Sequence, residues 1–253
     1  MKIYRESEEN IIISQSGDPL LTYLTSRIRE LAKKYIPYGG RILDLGCGIG
    51  RTSLVLAQDG YAVTGVEVSQ KAISIAKKNI SKANFGGNTH FIVKDATQIA
   101  PKELGEEFGG IICSEVIEHI DDYEKLFVLS WRMLKKGGFL LLTAPHDQGQ
   151  WSVLDNYAGH HRRFRSQQLR DVLGSTGFTV IELFTVGFPF MRILLWAYGL
   201  YIKVSGKTHN FRNYGKSVGY RFVYIPLVSL ILRIDRFFDW IKKGTTIVIV
   251  ARK

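Results

Sequence analysis

Residues 41–50 of this chain, RILDLGCGIG, end an apolar run on an acid, Asp44, and then place three glycines at alternate positions, Gly46, Gly48 and Gly50. Glycine lacks a Cβ, so such a turn can bend sharply and let a ligand reach the main chain. The next segment, RTSLVLAQDG, reads as a helix. The turn therefore falls at the carboxyl edge of a strand, where open α/β folds bind ligands. A second acid, Glu67, closes the run YAVTGVEVS; a carboxylate there can accept both hydroxyls of a ribose. Farther on, IICSEVIEHI (111–120) carries Ser114, Glu115, Glu118 and His119, and GHHRRFR (159–165) carries His160, Arg162, Arg163 and Arg165. Histidine titrates near neutral pH, so His119 and His160 are the candidate bases for taking a proton from a hydroxyl, with Glu115 beside them. The three arginines suit either an anionic group or a solvated loop.

A dinucleotide fingerprint puts its third glycine five residues after the first; here that position is Arg51. Glu67 by itself suits NAD as well. The G-x-G-x-G spacing behind Asp44 resembles motif I of the class I S-adenosylmethionine-dependent methyltransferases. The order of segments over 20–185 plus 245–253 is similar to that family too, including Lys135-Lys136-Gly137-Gly138 before an apolar strand and a closing C-terminal strand. The nearest likeness is to the small-molecule branch that contains the ubiquinone-biosynthesis O-methyltransferases. This resemblance implies an S-adenosylmethionine site. The main chain of Gly46, Cys47 and Gly48 would surround the methionine part, with Asp44 behind the turn. Glu67 and Val68 would lie at the ribose, Asp95 and Ala96 at the adenine amino group, and Ser114 at the same edge. The competing readings are a solvated strand end for Glu67 and a turn-capping role for Asp95.

Glu115-x-x-Glu118-His119 with a later histidine also resembles the metal-binding pattern of the small-RNA 2′-O-methyltransferases, and a metal-assisted pattern in the ubiquinone branch. Three readings stay open. Glu115, Glu118, His119 and His160 hold a divalent metal as Lewis acid; or the histidines act as base or orienter without metal; or the segment is a helix start in which Glu118 and His119 pair locally.

Positioning these residues requires alternating elements. Asp18-Pro19 reads as a helix start, and Leu20, Leu21, Leu24, Ile28 and Leu31 keep helical spacing as far as Pro37. Strands are expected at 41–45, 61–66, 89–93, 110–114, 139–143, 178–186 and 245–253, and helices at 51–59, 69–83, 121–135 and 166–176. The alternation predicts an α/β fold with a doubly wound, mostly parallel sheet of seven strands covered on both faces. The resemblance adds a Rossmann-like methyltransferase topology, with the last strand antiparallel between the fifth and sixth. Residues 1–185 and 245–253 form the expected core, and 186–244 an inserted helical subdomain.

With 253 residues the chain can bury one α/β core and an appended subdomain. Its two cysteines, Cys47 and Cys113, fall at strand ends and read as small buried residues, not a disulfide framework. The start, MKIYRESEEN, is too polar for a signal peptide, which makes a cytoplasmic setting the expectation. Charge is segregated: residues 186–253 hold twelve Lys and Arg against Asp235 and Asp239, so ten of the eleven net positive charges lie there. Within the insertion two apolar runs, 186–202 and 222–232, flank a polar bridge with Lys207, His209, Arg212 and Lys216. A membrane span needs about 20 apolar residues, and neither run qualifies. Clustered aromatics and flanking basic residues suit helices lying on an anionic membrane surface, here the inner face. A lid or a dimer contact is the alternative. Nucleic acid is disfavoured because the basic residues interleave with aliphatic runs. The expected function is methyl transfer from S-adenosylmethionine, at oxygen, to a small or lipid-like acceptor. The rivals are an RNA 2′-O-methyltransferase and a non-catalytic, donor-binding or membrane-associated partner protein. Oligomeric state is not legible.

Overall fold

The computed structural model describes residues 18–105, 107–205 and 223–253. The N-terminal decapeptide and the polar bridge with Lys207, His209, Arg212 and Lys216 lie outside them. Helix α1 (Pro19–Tyr35) starts where Asp18 and Pro19 predict, with the Asp18 carboxylate accepting from the N–H of Leu20 at 2.7 Å and Leu21 at 3.1 Å. Then follow β1 (Arg41–Leu45), α2 (Arg51–Gln58), β2 (Ala62–Glu67), α3 (Gln70–Lys82), β3 (Thr89–Val93) and β4 (Phe108–Ser114). Helix α4 (Tyr123–Met133), β5 (Leu134–Pro145), α5 (Val153–Ala158), α6 (Ser166–Ser175) and β6 (Thr179–Val186) continue the chain. It closes with α7 (Phe190–Ser205), α8 (Ile225–Asp235) and β7 (Thr246–Arg252).

The seven strands form one sheet in the order β3-β2-β1-β4-β5-β7-β6. The first five are parallel, and β7 runs antiparallel between β5 and β6. Chain order reverses between β1 and β4, so their carboxyl ends bound the crevice where such sheets take ligands. Alternate residues serve opposite faces. Leu43, Leu45, Ile111 and Leu142 pack with Leu126 and Phe127 of α4 and Leu169 of α6, whereas Ile42, Ile112 and Leu141 pack with Leu24 and Ile28 of α1 and Leu56 of α2. Cys47 and Cys113 are buried free thiols.

Two stretches differ from the sequence expectation. The helix expected to run to 135 ends at Met133, because Leu134 is already extended and pairs with Phe108. Gly137-Gly138, the expected lead-in to an apolar strand, instead lies within β5 at a register shift, with Gly137 at φ 78°. Helix α5 was not expected at all. Its six residues are too few to display a helical period, but Ser152 and Asp155 make a capping box around its first turn. Between β6 and β7, α7 and α8 pack on α1 through Met191, Val228 and Leu232 against Leu20 and Tyr23.

Candidate functional site

The turn after β1 is built by glycine conformation. Gly46, Gly48 and Gly50 have φ of 67°, 53° and 78°, a region L-residues rarely enter. A Cβ on Gly46 would also stand 2.5 Å from Cγ2 of Val116, so glycine is needed there twice over. The same contact seats this turn against the segment that follows β4. The N–H groups of Gly46 and Cys47 both donate to the Val66 carbonyl. Glu67, at the end of β2, accepts from the Gly48 N–H at 3.1 Å through one oxygen and from the Ser69 N–H at 3.0 Å through the other. A carboxylate offers about four lone-pair sites, so two remain for a diol. Asp44 is buried behind the turn and accepts from the Ser53 hydroxyl at 2.6 Å; burial pushes its carboxyl up to about 7. Val68 is exposed beside Glu67. Asp95 caps a short turn that begins at Ala96, its Oδ1 accepting from the N–H and the hydroxyl of Thr97 at 2.8 Å each.

The neighbouring edge comes from β4 and β5. Ser114 and Thr143 hydroxyls lie 2.9 Å apart, and Thr143 donates to Glu115 Oε1 at 2.9 Å. Glu115 sits at φ 54°, a strained conformation for a residue with a side chain. It turns the chain so that Glu118, one helical step on, points inward. Glu118 is fully buried, and neither of its carboxylate oxygens is hydrogen-bonded. Burial, and then the nearby Glu115, push its carboxyl well above the usual range. Burial likewise raises Glu115.

His119 and His160 flank that acid, each with Nε2 at 4.0 Å from Glu118 Oε1, their rings 5.1 Å apart and edge to face. His119 Nδ1 lies 3.1 Å from the Gly159 carbonyl, which can only accept, so Nδ1 carries the proton and Nε2 is a bare lone pair. Burial and the adjacent His160 lower His119 to about 4. His160 Nδ1 lies 2.9 Å from Oδ1 of Asp155. Burial alone would raise Asp155, but hydrogen bonds from His160 and Arg163 hold its carboxyl down at about 2. It is therefore a carboxylate that accepts from Nδ1–H of His160, and the other ring nitrogen, Nε2, faces Glu118. Asp155 has no exposed side-chain surface and further accepts from Arg163 Nε at 2.7 Å and the Ser152 N–H at 2.8 Å.

The loop carrying His160 is sewn in place. Phe164 is buried and bonds back to Pro145, while the His161 N–H donates to the Glu118 carbonyl at 2.9 Å. The arginines do not act as one group. Arg163 clamps Asp155 and the His146 carbonyl, Arg162 pairs with Asp121, and Arg165 occupies the N-cap of α6. Among the described residues the metal-capable cluster is Glu118, His119 and His160, with ligand atoms within 4.8 Å of one another; Glu115 is not in it, being turned to Thr143. A carboxyl group with two orphaned oxygens and two imidazoles whose Nε2 atoms face it make a donor set that fits a divalent cation, which would displace the carboxyl proton. Asp155 went unread in the sequence. The signals that could have found it are the Ser152-x-x-Asp155 box and the five-residue step to His160.

A methyltransferase-domain family model matches residues 20–183. A ubiquinone biosynthesis O-methyltransferase of Pseudomonas fluorescens is 32% identical over 100 residues, 40% of this chain and 42% of that protein. One from Coxiella burnetii is 30% identical over 117 residues, 46% and 48% of the two chains. The match thus spans less than half the length of these curated relatives. Among solved structures, phosphoethanolamine N-methyltransferase 2 of Haemonchus contortus, in complex with S-adenosyl-L-methionine, aligns at TM-score 0.61 and 23% identity over 90% of this chain and 52% of that one. A [4+2]-cyclase aligns at TM-score 0.61 and 22% identity over 90% and 80%. At these identities the structures speak for the fold, and a cyclase among them illustrates that the fold alone leaves the reaction open.

Proposed function

The chain belongs to the class I S-adenosylmethionine-dependent methyltransferases, and from that membership we propose that it transfers the methyl group of S-adenosylmethionine to an oxygen of a small or lipid-like acceptor. The observation that carries the oxygen assignment is the convergence of two imidazole Nε2 atoms, on His119 and His160, each 4.0 Å from a buried acid at the switch-point edge. A sulfonium donor supplies a methyl group already activated for in-line displacement: an acceptor oxygen forms the new C–O bond as the C–S bond breaks. The chain's own share is to position and to remove a proton. Glu67 uses its remaining lone pairs on the ribose diol, and the glycine turn brings the main chain close to the methionine part. His119, neutral down to about pH 4, or His160, held by Asp155, takes the hydroxyl proton on Nε2.

A second reading rests on the two unpaired oxygens of buried Glu118. Glu118, His119 and His160 would hold a divalent cation, which would supply Lewis acidity toward the acceptor oxygen.

Calorimetric titration of the full chain with S-adenosylmethionine tests the donor site. We expect binding that Glu67→Ala weakens by at least about tenfold, the value of one charge-assisted contact. No donor binding would favour a non-catalytic partner protein. Labelled methyl from the donor should appear in a hydroxylated lipid or small-molecule fraction, and fall with His119→Ala and His160→Ala. Unchanged turnover in both variants removes the base assignment, and label recovered in RNA overturns the acceptor class. A rise in Tm on adding Mn²⁺, lost in Glu118→Gln, supports the cation; an unmoved Tm with activity surviving chelation removes it.

A further inference from the structure

We propose that the outward faces of α7 and α8 form a docking surface for an anionic lipid bilayer. Each helix has an inner and an outer side. The inner sides meet α1 through Met191, Val228 and Leu232. On the outer sides, and in the turn after α8, large apolar residues stand in solvent: Ile193, Trp196, Val204, Leu230, Phe237 and Trp240 are each between 55% and 80% exposed. So many large apolar side chains in solvent on one helix pair and its following turn are uncommon on a protein with no partner for them.

Charge identifies the partner. The only acids between β6 and β7, Asp235 and Asp239, are both spent inward. Asp235 is buried and accepts from the N–H groups of Phe190 and Met191 at 2.9 and 2.8 Å, fixing the start of α7 to the end of α8. Asp239 pairs with Arg27 of α1 at 3.3 Å. Among the described residues, no carboxylate pairs with the exposed Lys203, Arg233, Lys242 or Lys243. The surface is therefore apolar and aromatic, rimmed by cations and without an anion. A polyanionic nucleic acid would match the charge and leave the apolar face wet; a second copy would match the apolar face and set cation against cation. An anionic bilayer matches both, taking the apolar side chains to the acyl boundary and the cations to the headgroups. Among the described residues no helix is long and apolar enough to cross a membrane, so the geometry is one of lying on the surface.

The surface also abuts the acceptor side of the molecule. Gly199 of α7 packs on α5, where a Cβ would stand 3.7 Å from Ser152, the residue that caps the helix carrying Asp155. This inference does not depend on the reaction proposed above.

The test is co-sedimentation of the full chain at low salt with vesicles of equimolar phosphatidylcholine and phosphatidylglycerol. We expect the chain to sediment with them and to stay in solution with phosphatidylcholine alone. Trp196→Asp with Leu230→Asp should abolish sedimentation while leaving the circular dichroism and the donor affinity unchanged. Replacing Arg233, Lys242 and Lys243 by Gln should weaken partition roughly a hundredfold, since each cation near the surface is worth about 1 kcal/mol. No sedimentation with the anionic vesicles, or full sedimentation of the Trp196→Asp, Leu230→Asp variant, overturns the proposal. So does a concentration-dependent dimer in light scattering that the same pair dissolves, which would assign the face to a second copy. Because binding is read directly, a chain without turnover would still report on the surface.

Discussion

In the proposed reaction single residues carry the chemistry, and their states are set by neighbours. Asp155 shows how. It touches no reacting atom in the proposed reaction, yet it holds Nδ1 of His160 and so aims Nε2 at Glu118. Carboxylate–imidazole pairs of this kind fix tautomer and ring orientation, and losing one typically lowers activity by about 10–100-fold. We expect Asp155→Asn to lower kcat by that factor with little change in donor affinity. Imidazole ¹⁵N shifts give a readout independent of turnover: they should show Nδ1–H on both His119 and His160 in the parent chain, and a changed signal for His160 alone in the variant. A variant spectrum identical to the parent, with full activity, would reduce Asp155 to a helix cap. Glu115, Glu118 and His119 were legible as candidates because they follow a predicted strand end, and His160 because it lies in a polar loop; Asp155 was not. What Glu118 meets was not legible, since its orphaned oxygens depend on the 159–165 loop folding back across it.

Elements supply the positions, and the glycine turn is the clearest instance. Gly50 lies at φ 78° immediately before α2, and a Cβ there would stand 2.9 Å from the Cβ of Ala76 on α3. Gly39 shares the backbone conformation, at φ 73°, with nothing within 4 Å of an added Cβ. The pair separates strain from collision. Gly39→Ala should cost only the strained backbone, about 1 kcal/mol, whereas Gly50→Ala adds overpacking against α3 and should cost roughly 3 kcal/mol. Urea midpoints check this, and equal losses would show that the α3 contact relaxes freely. Strands and long helices were readable because their periods persist over many residues. The exceptions have local causes. Helix α5 is too short to show a period, and the end of α4 is set by Leu134 pairing with Phe108, a contact between residues far apart in sequence. Composition marks the insertion as apolar and basic, but the direction of its two acids emerges only once α7 and α8 pack on α1.

The whole molecule keeps a costly charge at its centre, and pH exposes the cost. Asp44 is buried beneath the glycine turn, where burial pushes its carboxyl up to about 7 against about 4 in the unfolded chain. For a carboxyl raised by folding, the native state still holds its proton where the unfolded state has released it. Stability from this group therefore falls as pH rises from about 4, and the loss is complete above about 7. His119 acts in the opposite direction. The unfolded chain takes up its proton near 6.5, the native state only near 4, so its contribution is lost as pH falls through that window. Asp239, raised to about 6 by burial, and Glu118 add to the first trend, so Tm should decline from pH 5 to pH 8. The protein has a simple way to escape the penalty: Asn at position 44 would keep an oxygen for the Ser53 hydroxyl and carry no charge. Asp44→Asn should therefore raise stability at pH 8 by on the order of 3 kcal/mol and flatten the pH dependence of Tm. It should at the same time weaken S-adenosylmethionine binding at pH 8, because the negative charge Asp44 carries above about pH 7 favours a cationic donor. Stability gained together with donor affinity lost is the trade expected of a residue kept for its site and not for the fold. Scanning fluorimetry from pH 5 to pH 8 and calorimetry on the same variant decide it: an Asn variant no more stable than the parent would mean that Asp44 is neutralised by its surroundings, and unchanged donor affinity would make it a strap between β1 and α2.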